Sequence, residues 1–174
     1  MKTKNNELDR INKRLVEIDK AKETLKRILD LPQYYGYSEQ TFEYAILHIK
    51  RANEDLDFQI ENAKKMLLLN LQNINTNEYH LIKQSINAYV ASLAYDIITG
   101  DILLYTYFDK QLLDEFKVAI KDLVSKKEAN VLLLDEINRL IVEQDNLRKE
   151  QKKSSENLML KKIKEKFSFN SEKK

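Results

Sequence analysis

Residues 42–74 impose the strongest structural constraint in this sequence, because an apolar residue or asparagine recurs there at every third or fourth position. The positions are Phe42, Ile46, Ile49, Asn53, Leu56, Ile60, Ala63, Leu67, Asn70 and Ile74. Alternating steps of three and four place side chains on one face of a helix, as in the seam of a coiled coil. Asparagine in such a seam lowers stability but fixes register and partner number. The pattern predicts a long helix at about 39–74, with Ser38 as its N-cap.

The same spacing predicts three further helices, at about 5–30, 77–99 and 102–150. The first has an apolar seam interrupted by Lys22, and it should end before Pro32, because the residue preceding proline is pushed out of helical geometry. The expected caps and breaks are Asn75 or Thr76 for the third helix, Gly100 and Asp101 at the following turn, and the serines at 154–155.

These helices predict an all-α fold. Only two glycines and one proline occur in 174 residues, and 33% of the residues are charged, a composition typical of long helices rather than sheets. Short connections favour antiparallel neighbours. The prediction is therefore an antiparallel helical bundle or coiled coil of about four helices over 1–153, with a long C-terminal helix. A basic amphipathic tail follows at 154–174.

Motifs for catalysis and for metal or cofactor binding are not found in the sequence. The only two histidines, His48 and His80, have no glutamate three residues before them, as a di-iron site would require. There is no cysteine, no Gly-x-Ser-x-Gly and no glycine-rich phosphate loop. We therefore expect a protein that is not an enzyme and uses no cofactor.

The most apolar stretch, residues 86–108, is long enough to cross a bilayer. Asp96 and Asp101 lie near its middle, and each costs about 2.5–3.5 kcal/mol on insertion scales. A buried helical hairpin is the better interpretation. The polar start of the chain and the absence of cysteine favour a cytoplasmic protein.

Three tyrosines, Tyr34, Tyr35 and Tyr37, lie in the loop at 31–38, the clearest loop of the sequence. They could act as structural wedges that cap the core. They could also form an exposed aromatic patch, since tyrosine is enriched at interaction hot spots. We take them as candidate partner-binding residues.

The C-terminal region is basic and amphipathic. Residues 148–174 carry ten Lys/Arg and four Asp/Glu, a net charge of +6, whereas the remaining 147 residues carry −4. As a helix, 158–169 would align Leu160, Ile163 and Phe167, with Lys161, Lys162, Lys164 and Lys166 around them. Such a helix can bind an acidic protein, a phosphate backbone or, less favourably, a membrane. It can also be a solvated extension.

The function that fits best is a non-enzymatic protein-interaction factor: an adaptor, assembly factor or inhibitor of a larger complex, of a kind that a phage or mobile element could encode. The alternative is a nucleic-acid-binding accessory protein that uses its lysine-rich tail. A protein partner is expected, and a homodimer through the last helix or the Asn53/Asn70 seam is a further hypothesis.

Overall fold

A computed structural model describes residues 2–31, 40–93 and 101–171. Helix makes up 91% of these residues, and no strand occurs among them, which confirms the all-α prediction. The helices are α1 (Lys2–Ile28), α2 (Thr41–Leu68), α3 (Thr76–Leu93), α4 (Asp101–Tyr107) and α5 (Lys110–Ser171). The long C-terminal helix is confirmed, and at 62 residues it is longer than expected.

The stretch predicted as one helix over 102–150 is two helices, because the chain breaks between Tyr107 and Lys110. Asp109 causes the new start: its Oδ1 accepts hydrogen bonds from the backbone N–H groups of Gln111 (2.9 Å) and Leu112 (3.3 Å). An aspartate at the N-cap satisfies donors that the first turn leaves unpaired. The seam pattern alone does not reveal this cap.

α2 ends at Leu68, six residues before the predicted end. The Asn70 side chain donates to the Met66 carbonyl oxygen (2.9 Å), and Asn73 has a positive φ of 54°. Asparagine tolerates this left-handed conformation, which no helix can continue through. The apolar spacing persists to residue 74, but local asparagine chemistry stops the helix.

Two further termini have recognisable caps. α1 ends in a Schellman motif, in which Asp30 has a φ of 48° and the Leu31 N–H donates to the Lys26 carbonyl oxygen at 3.0 Å. α3 begins in a capping box: the Glu78 N–H donates to Asn75 Oδ1 (2.9 Å), and the Asn75 N–H donates to Glu78 Oε2 (3.0 Å). Asn75, one of the two predicted caps, is the one used. Ser38 and Gly100 lie outside the described residues.

α5 runs unbroken through the serines at 154–155, where the sequence suggested a break. No glycine or proline occurs between Lys110 and Ser171, and serine is only slightly less favourable in a helix than alanine. The basic segment therefore continues the same helix that begins at Lys110.

The chain divides into two compact units. Unit 1 comprises Met1–Ile46 and Asp135–Lys174, which include α1, the first turns of α2 and the C-terminal part of α5. Its buried apolar side chains are Ile11, Ile18, Leu25, Leu31, Phe42, Ala45, Ile137 and Leu140. Lys22, Thr41 and Gln144 are also buried in it.

Unit 2, Leu47–Leu134, contains the rest of α2, all of α3 and α4, and the start of α5. One apolar cluster forms its core: Ile60, Leu67, Ile82, Ile86, Tyr89, Leu104, Phe108, Leu113, Phe116 and Ile120. The seam residue Asn53 is satisfied within the chain, because its Oδ1 accepts a hydrogen bond from Asn130 Nδ2 at 2.8 Å. Asn70 is exposed.

Candidate interaction surface

Within unit 1, α5 packs one face against α1. Gln151 Nε2 donates to Asn12 Oδ1 (2.8 Å), and the Arg14 guanidinium donates two hydrogen bonds to the Glu143 carboxylate (2.6 and 3.0 Å). These hydrogen bonds lower the pKa of Glu143 and raise that of Arg14. The half-buried face of α5 then continues through Leu147, Gln151, Ser154 and Leu158.

Beyond Leu158, this packing ends. All nine residues 159–167, here called the tail segment, are exposed. Four of them are large and apolar, with exposed fractions of 67% for Met159, 56% for Leu160, 43% for Ile163 and 73% for Phe167. These four apolar side chains, spread over two and a half helical turns, therefore have no packing partner among the described residues.

The predicted site lysines surround an apolar stripe on the tail segment. At about 100° per residue, Leu160, Ile163 and Phe167 fall within an arc of about 60°. Lys164 and Lys166 flank this stripe on opposite sides. The other two predicted lysines, Lys161 and Lys162, lie farther round the helix, and Lys161 forms an ion pair with Glu165 at 3.8 Å. The helix thus presents an apolar stripe with a positive charge on each side.

A second basic cluster precedes the tail segment on the same helix. It consists of Arg148, Lys149, Lys152 and Lys153, all of which are exposed. These four residues contribute to the net charge of +6 over 148–174 but are not among the predicted site residues. The absence of glycine and proline from residues 110–171 is the sequence feature that predicts one continuous helix through both clusters.

The structure does not test the tyrosine patch, since Tyr34, Tyr35 and Tyr37 lie outside the described residues. His48 and His80 are exposed on α2 and α3. In the part of the chain that the structure describes, no group of three or more acidic, histidine or cysteine residues is arranged to hold a metal ion. None of the described helices combines the length and the apolar character needed to span a membrane.

No protein-family model, curated protein or solved structure matches this chain.

Proposed function

We propose that this protein is a non-enzymatic interaction factor, an adaptor, assembly factor or inhibitor of a larger complex, which docks its tail segment on an acidic protein partner in the cytoplasm. The observation that carries the proposal is the exposure of residues 159–167, four of which are large and apolar. Clustered exposed apolar side chains on a folded protein mark sites of interaction.

The chemistry of the segment specifies the kind of partner. A helix with anchors at i, i+3 and i+7, as Leu160, Ile163 and Phe167 are, inserts its apolar stripe into a hydrophobic groove. The segment holds four lysines and one glutamate, so a groove with acidic rims complements it. A membrane surface fits less well, because three anchors bury little area among lipid headgroups.

The proposal is tested with full-length protein as bait in a host lysate, with quantification of retained proteins by mass spectrometry. The test variant is Leu160→Gln/Ile163→Gln/Phe167→Gln. The matched control is Val16→Gln/Val118→Gln/Val142→Gln, which alters three exposed apolar residues elsewhere on the surface. An acidic protein should be retained by the wild type and the control but lost with the test variant and at high salt. Retention of the same proteins by all three baits would refute the proposal.

Nucleic-acid binding is the second candidate, and the unbroken course of α5 favours it. Lys149 and Lys166 lie 17 residues apart on one helix, so the two basic clusters form a charged edge about 25 Å long. Phosphate contacts by such an edge release counterions, so the affinity should fall steeply as the salt concentration rises. On duplex DNA, the logarithm of the binding constant should fall against the logarithm of the salt concentration with a slope of about −0.9 for each phosphate contacted.

Fluorescence anisotropy with labelled duplex DNA and RNA measures that slope directly. Lys149→Gln/Lys152→Gln/Lys153→Gln should reduce it, whereas the apolar tail variant should not. Undetectable binding at low salt would eliminate this candidate and leave the protein-docking proposal unaffected.

A further inference from the structure

A second apolar surface that no described residue covers lies in unit 2, as a groove of about 880 Å³ between α2, α3 and α5. Its apolar lining consists of Ile60, Val90, Ala91, Val124, Val131 and Leu132. Ile60 belongs to the buried core, whereas Val131 and Leu132 on the α5 wall are 46% and 70% exposed. The groove thus leads from open surface down to the core of the unit.

The charged residues on the groove walls largely neutralise one another. Lys127 pairs with Asp57 at 2.5 Å, and Lys64 pairs with Glu61 and donates to Asn87. Two lining charges, Glu128 on α5 and Lys83 on α3, form no ion pair among the described residues. An occupant is therefore held mainly by apolar contact, and a basic group near Glu128 adds to it.

The length of the groove corresponds to two turns of helix. Its α5 wall extends over the nine residues from Val124 to Leu132, a rise of about 12 Å. A helix that fills such a groove uses anchors at i, i+3 and i+7, which span about 11 Å. Leu160, Ile163 and Phe167 of the tail segment have this spacing, and Lys164 and Lys166 flank them.

We infer that the unit 2 groove of one copy receives the tail segment of a second copy, so that the protein self-associates through these two surfaces. Both surfaces are apolar, exposed and matched in length, and a lysine beside the stripe meets Glu128. The inference goes beyond the proposed function, because it gives the tail segment a competing partner: self-association and docking on another protein exclude each other.

Sedimentation velocity of the full chain over a range of concentrations tests the inference. We expect a concentration-dependent dimer for the wild type, and at least a tenfold weaker association for Leu132→Glu and for Phe167→Glu. Val118→Glu is the matched control, since Val118 is 72% exposed on the same helix and does not line the groove. A strict monomer at every concentration, or a dimer that Leu132→Glu leaves intact, would overturn the inference.

Because the chain contains no cysteine, disulfide trapping identifies the contact itself. Mixing Leu132→Cys with Phe167→Cys protein under mild oxidation should give a mixed dimer, whereas Val118→Cys with Phe167→Cys should not. Equal trapping of both mixtures, or a disulfide that forms only within a chain carrying both Leu132→Cys and Phe167→Cys, would contradict the assignment to a second copy.

Docking of the tail segment on an acidic protein and self-association through the groove can be tested independently of each other. Leu132→Glu leaves the tail segment unchanged, so it should still bind the acidic partner while its self-association is lost. If Leu132→Glu instead loses that partner too, the groove rather than the tail segment binds it, and the assignment of the groove to a second copy is wrong.

Discussion

The cores of unit 1 and unit 2 are built on the same three-four spacing, but the residue types buried in them differ. The unit 2 core is an apolar cluster, and its buried Ser92 hydroxyl donates to the Tyr89 carbonyl oxygen at 2.7 Å. In unit 1, Lys22 occupies a seam position with no exposed surface, and Thr41 is buried as well. Thr41 Oγ1 has no hydrogen-bond partner among the described residues. Since buried polar groups are costly unless satisfied, we expect unit 1 to be locally less stable than unit 2.

The surroundings of Lys22 show how a charge is accommodated in the unit 1 seam. Its Nζ lies 3.8 Å from Asp19 Oδ1 and 5.0 Å from the centre of the Phe42 ring. An ion pair at that distance and a cation–π contact each offset part of the desolvation cost. The expected consequence is faster amide exchange in α1 than in α3.

The largest effect is expected from breaking the apolar cluster of unit 2. Leu113 is fully buried, so Leu113→Ala should lower the free energy of unfolding by about 2–5 kcal/mol, measured by urea denaturation. Leu132→Ala on the same helix, where the side chain is 70% exposed, should change it by less than about 0.5 kcal/mol. Equal losses for the two variants would show that burial does not govern stability in this unit.

Lys22→Met is expected to make the core of unit 1 more apolar, and so closer in composition to the core of unit 2. Replacing a buried charge with an apolar side chain of similar size is often stabilising by about 1–4 kcal/mol, because the desolvation cost disappears. Thermal unfolding should shift upward, and Lys20→Met at an exposed neighbouring position should leave it unchanged. A clear drop in stability for Lys22→Met would mean that the contacts of Lys22 outweigh its desolvation.

The amide pair in unit 2 offers a smaller test. Asn130→Ala leaves Asn53 without its 2.8 Å hydrogen bond in a partly buried position, which should cost about 1 kcal/mol. Asn53→Leu/Asn130→Leu should recover most of this loss, since both polar groups are removed together. If the double variant is no more stable than the single one, packing rather than hydrogen bonding limits this site.

The smallest expected effect is a loss of stability in unit 1 at low pH. A hydrogen-bonded Arg14 guanidinium lowers the pKa of Glu143 below its usual 4.5, and hydrogen bonds from Lys26 and Arg139 lower the pKa of Glu23 and Glu136 in unit 1. A lowered pKa in the folded state means that these pairs stabilise unit 1 at neutral pH. The stabilisation is lost as the pH falls from about 4.5 through the lower pKa of the folded state.

Amide exchange between pH 7 and pH 3.5, corrected for intrinsic rates, measures this difference between the units. We expect protection in α1 to fall more than protection in α3. Glu143→Gln should reduce the acid response of unit 1, while Glu54→Gln in unit 2 should not. An acid response confined to unit 2 would contradict this account.

The sequence alone predicted that the chain is all-α and ends in a long helix. Leu and Ile at three-four spacing bury their apolar surface most readily in helices, and helix formation is a local property of backbone and side chain. It also predicted an amphipathic stripe of Leu160, Ile163 and Phe167 among lysines, because the helical period fixes which side chains share a face. Residues 159–167 are helical in the structure, which is what the stripe required.

Tertiary structure decided which polar residues are buried and how they are paired. The helix boundaries near Asn70 and Asp109, by contrast, are set locally, by hydrogen bonds within a few residues that apolar spacing does not reveal. The burial of Lys22, the pairing of Asn53 with Asn130 and the groove beside Leu132 all depend on which helix packs nearby. Such contacts join residues 20 or more positions apart, and no local pattern encodes that proximity.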